Sequence, residues 1–343
     1  MKDFLYKLID ELGNINIDYN EYYDDGDDSY IYVKERLSNY MNNNTLISAK
    51  NVIKYKYYIG DNYLLYNFFI FNDIQMDLIQ PIINLTYILN KLLGYRKNIT
   101  FYIYLYHTKK ETISDRYNIA EYKELKNKLM AFQIGGETYT CVNCDDVKIM
   151  TTREEECLFT LIHEMMHINE NNQFVIKNKL SKHINDDNNS ECVINFISIC
   201  IYSAYVSYMR NSIITNIIMR EYNHTFDLVS KYLLYVGTDI DNICDFINKE
   251  YNNYEIKSII VRYYLLSNIF MYNFDKLFKF FDKFEDVLRS KYGDKFNDMI
   301  KSIIEEDLEN DSEYIKKLRK TMIGIKGKYN KYNFNYTYYG NVI

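Results

Sequence analysis

The chain has 343 residues, of which 48% are hydrophobic, so it is long enough for one large domain or two lobes with a sizeable core. Its formal net charge of -6 argues against a nucleic-acid-binding protein, because affinity for phosphate backbones comes from clustered lysines and arginines. Six cysteines without regular spacing indicate free thiols in a reducing compartment rather than a disulfide framework.

The N-terminal segment MKDFLYKLIDELGN predicts a short amphipathic helix. Charged side chains interrupt its apolar pattern, so it lacks the continuous apolar stretch of a secretory signal peptide. The next segment, IDYNEYYDDGDDSY, is acidic and has no apolar periodicity, which is typical of a linker. We therefore assign residues 1–45 to an N-terminal helix and an acidic linker, and we expect an intracellular protein.

Two strands and a helix are predicted next. Residues 51–60 and 62–72 are rich in apolar and aromatic side chains around a Gly-Asp-Asn turn, which predicts a hairpin. Helical periodicity then begins at Asp73 and ends at Gly94, with a kink expected at Pro81.

The middle of the chain predicts further strands. NITFYIYLYH is typical of a central strand, and a helical stretch is expected near AEYKELKNKLM. AFQIGGETYTCVNCDDVKIM predicts one or two extended segments that turn just before a helix beginning near Thr152. Beyond Ser190 the pattern is helical.

These elements predict an α+β, predominantly helical protein with two lobes. Residues 46–189 would form a lobe with a small sheet, and residues 190–328 would form a helical lobe. Residues 329–343 form a low-complexity tail rich in Tyr and Asn. Substrate would lie between the lobes.

The segment from Cys192 to Tyr208 carries no charge and is apolar on nearly every face, so a transmembrane helix has to be considered. Asn195 and three serines interrupt it, and an acidic, Asn-rich segment precedes it. A buried core helix is the favoured interpretation. No membrane partner is expected, and a membrane-anchored protein is kept as an alternative.

The helix predicted over REEECLFTLIHEMMHINENNQF carries the strongest motif. His163 and His167 lie four residues apart on one helical face, where two imidazoles can bind one zinc ion. Glu164 lies about a hundred degrees round the helix, where its carboxylate can act as a general base without being a ligand. The buried side would be formed by apolar residues, namely Leu158, Leu161 and Ile162.

The third metal ligand has to come from elsewhere in the chain. Metzincins carry Gly and a third His at the positions of Glu170 and Gln173, so that subclass is excluded. Glu170 lies roughly 10 Å beyond His163 along the helix, too far to complete one tetrahedron. Glu191 is the better candidate, because it lies in the first turn of the next, strongly apolar helix. The alternative is an ordinary first-turn Glu stabilised by the helix dipole.

Asn195 lies one turn after Glu191 and faces the same side of the predicted helix. It could accept the free N–H of His163 or His167 and so orient a metal ligand. An Asn that serves only a backbone neighbour is the alternative.

A His-Glu-x-x-His helix followed by a helix that carries a Glu resembles the gluzincins, the zinc peptidases similar to thermolysin. The resemblance implies a zincin-like first lobe and Glu191 as the third zinc ligand. Gluzincins carry an acidic residue where this chain has Asn195. Residues 99–198 also resemble metallopeptidase-like proteins encoded by large AT-rich DNA viruses, which implies a location in the host cytoplasm or the virion.

Two weaker features surround the motif. IGGETYT is expected to form an edge strand above the metal that pairs with the substrate backbone, and Gly135 and Gly136 would allow close approach. Cys141 and Cys144 have the spacing of half a zinc knuckle or of a redox pair, but no second pair follows, so a hairpin turn is favoured.

An oxyanion formed during catalysis usually needs a donor besides the metal. His224, interpreted as a loop residue in EYNHTF, is the leading candidate, with Arg220 and His183 as others. An exposed loop histidine without a catalytic role is the alternative.

The sequence thus predicts a zinc peptidase that hydrolyses peptide bonds in a peptide or protein substrate, with Glu164 as general base. The alternative is a catalytically silent virion or host-interaction protein with a structural or vestigial metal site.

Overall fold

The structure is a computed structural model that describes residues 2–15, 17, 49, 51–105, 136–140, 146–151, 156–169, 189–235, 240–243, 265–280, 294–309 and 311–325. Helices account for 69% of the described residues, and the strands form one mixed, five-stranded sheet. The predicted α+β, predominantly helical class is therefore confirmed. The predicted lobe boundaries are not tested by the described residues and stay predictions.

The described elements of the first half include both strands and helices. They are α1 (Lys2–Asn14), β1 (Asn51–Ile59), β2 (Asn62–Ile70), α2 (Ile79–Leu93), β3 (Asn98–Tyr104), β4 (Gly136–Thr140), β5 (Asp146–Thr151) and α3 (Cys157–Met166). The described elements of the second half are all helical. They are α4 (Asn189–Met209), α5 (Ile214–Tyr235), α6 (Ser267–Tyr272), α7 (Phe274–Phe280), α8 (Asp294–Asp307) and α9 (Glu313–Ile325), with a 3-10 turn at Ile240–Asn242.

The sheet has the strand order β1-β2-β3-β5-β4. The predicted hairpin is confirmed: β1 and β2 are antiparallel, and Gly60 in their turn has a φ of 61°, a conformation that favours glycine. β3 is the central strand, as predicted, and runs parallel to both β2 and β5. β4 runs antiparallel to β5 at one edge of the sheet.

Pro81 does not interrupt α2. The predicted helical segment begins with a 3-10 turn over Asp73–Leu78, and α2 starts at Ile79, so Pro81 falls in the first turn, where a missing N–H costs little. The helix ends as predicted at Gly94, which has a φ of 66°. The expected kink is thus replaced by a change of helix type before the proline.

The core of the first half lies between the sheet and α2. Tyr66 is buried in this layer, where its ring stacks on Phe101 at 4.8 Å between centroids and its hydroxyl forms a 2.8 Å hydrogen bond with Thr86 of α2. Aromatic stacking and a satisfied hydroxyl fix α2 against the parallel strands. The predicted N-terminal helix α1 packs against α2 and α4 through its buried leucines, Leu5, Leu8 and Leu12.

The apolar helix α4 forms the centre of the second half and packs against α1, α3, α5 and α6. The window Cys192–Met209 is long and apolar enough to cross a membrane, but 89% of it is buried inside the protein. Phe196 contributes to this packing through its contacts with Phe270 and Phe274. This burial favours the predicted core helix.

Asp307, the last residue of α8, is a half-buried carboxylate in the helical part. Asn273 donates a hydrogen bond to its Oδ2 atom. Burial nevertheless raises the pKa of Asp307 to about 6, because desolvation outweighs this bond and the nearby charge of Lys276. The folded protein therefore holds the Asp307 proton at pH values where the unfolded chain releases it.

The free energy of unfolding should fall as the pH rises from about 4 to about 6, since the folded state binds more protons across that window. The expected loss is about 1–2 kcal/mol after allowance for solvent screening. Asp307→Asn should remove this loss and raise the urea midpoint at pH 8. Asp298→Asn, an exposed site on the same helix, controls for the removal of one negative charge. Equal pH profiles for the wild type and Asp307→Asn would contradict the assignment.

Candidate metal centre

Helix α3 carries His163 and Glu164 of the predicted motif and is buried on all sides, and the half-buried His167 begins the 3-10 turn His167–Asn169 that follows it. It packs against β4 and β5 of the sheet, against α2 and against α4. The predicted apolar residues Leu158, Leu161 and Ile162 are fully buried. The predicted start near Thr152 lies outside the described residues, and the described helix begins at Cys157. The motif helix is therefore held between the sheet and the helical part.

The two histidines of the motif converge. The Nε2 atoms of His163 and His167 lie 3.2 Å apart, and their ring centroids are 4.9 Å apart. Two zinc-bound nitrogens at about 2.0–2.1 Å from the ion in tetrahedral geometry lie about 3.3 Å apart. The spacing of the two rings thus fits one metal ion.

Glu164 belongs to the same group. A carboxylate oxygen of Glu164 and one ring nitrogen of each histidine all lie within 4.8 Å of one another. His163 and Glu164 are only 8% and 7% exposed, so both polar side chains are removed from most of the solvent. A buried ionisable group needs a partner or a metal, and this group can hold a metal ion. The residues present therefore fit a metal ion.

Strand β4 holds the Glu164 side chain from the sheet side. Thr138 Oγ1 lies 2.7 Å from Glu164 Oε2 and 2.8 Å from the main-chain oxygen of Glu164, and it is the donor in both contacts. The strand lies very close to α3 at Gly136, where an added Cβ would be 2.7 Å from both Glu164 Cγ and Thr160 Cγ2. Only a glycine permits this approach.

Residues 136–140 form the predicted edge strand, and Thr138 on it contacts Glu164 of the candidate metal-binding group. Ile134 and Gly135 lie outside the described residues. An edge strand leaves part of its backbone hydrogen-bonding groups unpaired by the sheet. The predicted pairing of this edge with a substrate stays a prediction. Cys141 and Cys144 lie outside the described residues.

Tyr95, which sequence reasoning did not single out, fixes the end of α3. Its hydroxyl donates a 2.7 Å hydrogen bond to the main-chain oxygen of Met165, between the two histidines. Burial raises the pKa of Tyr95, so the hydroxyl stays protonated and remains a donor. The ring of Phe159 lies between His163 and Tyr202, at 6.4 Å and 5.9 Å between centroids, and links the site to α4.

The predicted third ligand and its neighbour lie on α4. Glu191 is in the first turn of that helix, as predicted, and its side chain is outside the described part. Asn195 is buried, and its Nδ2 atom donates a 2.7 Å hydrogen bond to Ser267 of α6. Its Oδ1 atom has no hydrogen-bond partner among the described residues. The structure thus shows Asn195 bonded to α6 and does not show it bonded to either histidine.

His224 was predicted to lie in a loop, and this prediction is wrong. The segment EYNHTF lies inside α5, which runs unbroken from Ile214 to Tyr235. The helix continues through this segment because the next residue, Thr225, is buried with its hydroxyl bonded. Thr225 Oγ1 donates to the carbonyl oxygen of Tyr222 and accepts from the Asn268 side chain. His224 is not part of the described metal-binding group. Arg220 is exposed on the same helix, and His183 lies outside the described residues.

Comparison of the chain with models of known families, with curated proteins and with solved structures found no match. The case for a function therefore comes from the residues and their geometry.

Gly136→Ala should destabilise the protein, because the new methyl group would also lie 2.9 Å from the main-chain oxygen of Met150, which cannot rotate away. We expect a loss of about 1–3 kcal/mol in the free energy of unfolding, measured by urea denaturation. Gly324→Ala is the matched control, because a Cβ at that helical position meets nothing within 4 Å. A Gly136→Ala variant as stable as the control would show that β4 does not lie this close to α3.

Proposed function

We propose that the chain is a zinc-dependent peptidase of the gluzincin type. The observation that carries the proposal is the convergence of His163, Glu164 and His167, whose ligand atoms lie within 4.8 Å of one another beside an edge strand. In zinc peptidases the two histidines of a His-Glu-x-x-His helix bind catalytic zinc, and the glutamate of the motif is the general base.

His163 and His167 would hold the zinc together with Glu191, the residue that the resemblance to gluzincins implies. Bound zinc would polarise a peptide carbonyl and lower the pKa of a coordinated water to about 7. Glu191 lies in the first turn of α4, and the packing of α4 against α3 supports this assignment.

Glu164 would act as the general base in this proposal. It would accept the proton of the attacking water on its carboxylate and deliver that proton to the leaving amine. The contact with Thr138 supports this role, because it holds the carboxylate beside the two imidazoles. The neighbouring edge of β4 would bind the extended substrate backbone as an added strand.

A second candidate follows from the same 3.2 Å distance, which also permits one imidazole N–H to donate to the other ring nitrogen. In that case the pair would be structural, and the chain would be a catalytically silent interaction protein. Stoichiometric zinc bound between the rings would exclude the hydrogen-bonded pair, and zinc-dependent peptide cleavage would exclude a silent protein. Under the peptidase proposal, the substrate is a peptide or protein inside an infected cell, as the resemblance to viral proteins implies.

Glu191→Gln should weaken zinc binding by more than about 100-fold, because it removes an anionic ligand from the ion. The affinity is measured by competition with a chelator of known zinc affinity. Glu305→Gln, an exposed residue of α8, is the matched control. Unchanged affinity in Glu191→Gln, with binding lost in His163→Ala, would remove Glu191 from the ligand set and leave the histidine pair in place.

Glu164→Gln should keep its zinc and lose peptidase activity by about 100- to 10,000-fold, because the amide cannot accept the proton. Zinc content is measured by mass spectrometry of the metal, and cleavage is measured on a library of peptides. Wild-type protein without zinc-dependent cleavage, or equal cleavage by Glu164→Gln, would overturn the proposal.

A further inference from the structure

We propose that Thr138 is a positioning residue that fixes the orientation of the Glu164 carboxylate for proton transfer, an inference that rests on the proposed role of Glu164 as general base. The residue lies on β4, in a different part of the sequence from the metal-binding motif. Its two hydrogen bonds reach the side chain and the main chain of Glu164.

The hydroxyl of Thr138 has one proton, so it donates to one of the two Glu164 oxygens at a time. An ionised carboxylate is the stronger acceptor, and a hydrogen bond to a charged group is about twice as strong as one between neutral groups. The carboxylate oxygen at 2.7 Å is therefore the stronger acceptor, and the main-chain oxygen lies at 2.8 Å.

The hydrogen bond from Thr138 restricts the motion of the Glu164 carboxylate, the proposed general base. The last torsion of a glutamate side chain has broad minima, so an unrestrained carboxylate samples many orientations. Fixing Oε2 restricts the plane of the carboxylate and with it the directions in which the other oxygen can point. A catalytic group held in its productive orientation reacts faster, because the entropy of ordering is already lost before the reaction.

The alternation of side chains along β4 explains why Thr138, two residues after Gly136, contacts Glu164. Side chains on a strand alternate between its faces, so Gly136 and Thr138 share one face and Tyr139, which is 48% exposed, lies on the other. Gly136 brings the backbone of β4 against Glu164 and Thr160. This close approach brings the short side chain of Thr138 within hydrogen-bonding distance.

Metal binding should not depend on Thr138, because both hydrogen bonds of its hydroxyl go to Glu164 and neither goes to an imidazole. Unchanged metal binding in a Thr138 variant therefore distinguishes a positioning residue from a metal ligand.

The bond itself is tested first in metal-free protein, by thermal unfolding of Thr138→Val in the wild-type and Glu164→Ala backgrounds. Thr138→Val should lower Tm by about 2 °C or more in the wild-type background and by clearly less in the Glu164→Ala background. Equal shifts in the two backgrounds would show that the side chains are not coupled and would overturn the inference.

The positioning role is tested next in zinc-loaded protein, with cleavage of the peptide library as the readout. Thr138→Val should lower kcat by about 10- to 100-fold with KM and zinc content unchanged, and Thr138→Ser, which keeps the hydroxyl, should restore most of kcat. A purely structural role would instead reduce zinc content or change KM together with kcat, without rescue by serine.

The two proposals fail in different ways. If the wild type cleaves peptides and Thr138→Val cleaves them equally well, the positioning role alone is overturned. If the wild type cleaves nothing, the peptidase proposal and the positioning role fall together.

Discussion

Helix α3 packs between the sheet and α4, and this burial determines which polar side chains come together at the candidate site. A helix buried on every side offers its polar groups little contact with solvent, so polar side chains on it need partners within the protein. His163, Glu164 and His167 meet this requirement by lying together, with Thr138 and Tyr95 bonded to the same stretch of helix. Burial thus concentrates the polar groups of the motif at one place.

The sheet also packs against α3, through β4 and β5. The parallel strands β2, β3 and β5 form the buried centre of the sheet, and α3 is the next described element after β5. β4 lies at one edge of the sheet, antiparallel to β5, and places Gly136 and Thr138 against Glu164. One edge of the sheet is therefore part of the candidate site, and under the peptidase proposal an extended substrate would add to it as a further strand.

Several features could be predicted from local sequence. The hairpin, the central strand, the end of α2 at Gly94 and the pairing of His163 with His167 follow from patterns of a few residues, because turn chemistry and helical periodicity are local. Glu191 was placed in a first turn by the capping residues before it, and α4 does begin at Asn189. These predictions needed no knowledge of the tertiary fold.

Other features depended on contacts between distant segments. Thr138 and Tyr95 are ordinary strand and loop residues in sequence, and they matter only because the fold brings them to α3. The polar run Asn223-His224-Thr225 favoured a loop, yet Thr225 is buried in α5 with Asn268 as its partner. Asn195 bonds to Ser267, which is far away in sequence. Tertiary packing overrides local propensity at such positions, and no local pattern identifies the partner.

The most direct test of a zinc site on α3 is a crystal structure of zinc-loaded protein with anomalous data collected at the zinc edge. We predict one anomalous peak about 2.0–2.1 Å from the Nε2 atoms of both His163 and His167, with a Glu191 oxygen at about 2.0–2.2 Å. A peak elsewhere, no peak between the two imidazoles, or a Glu191 carboxylate more than about 5 Å from the ion would contradict the gluzincin-type site.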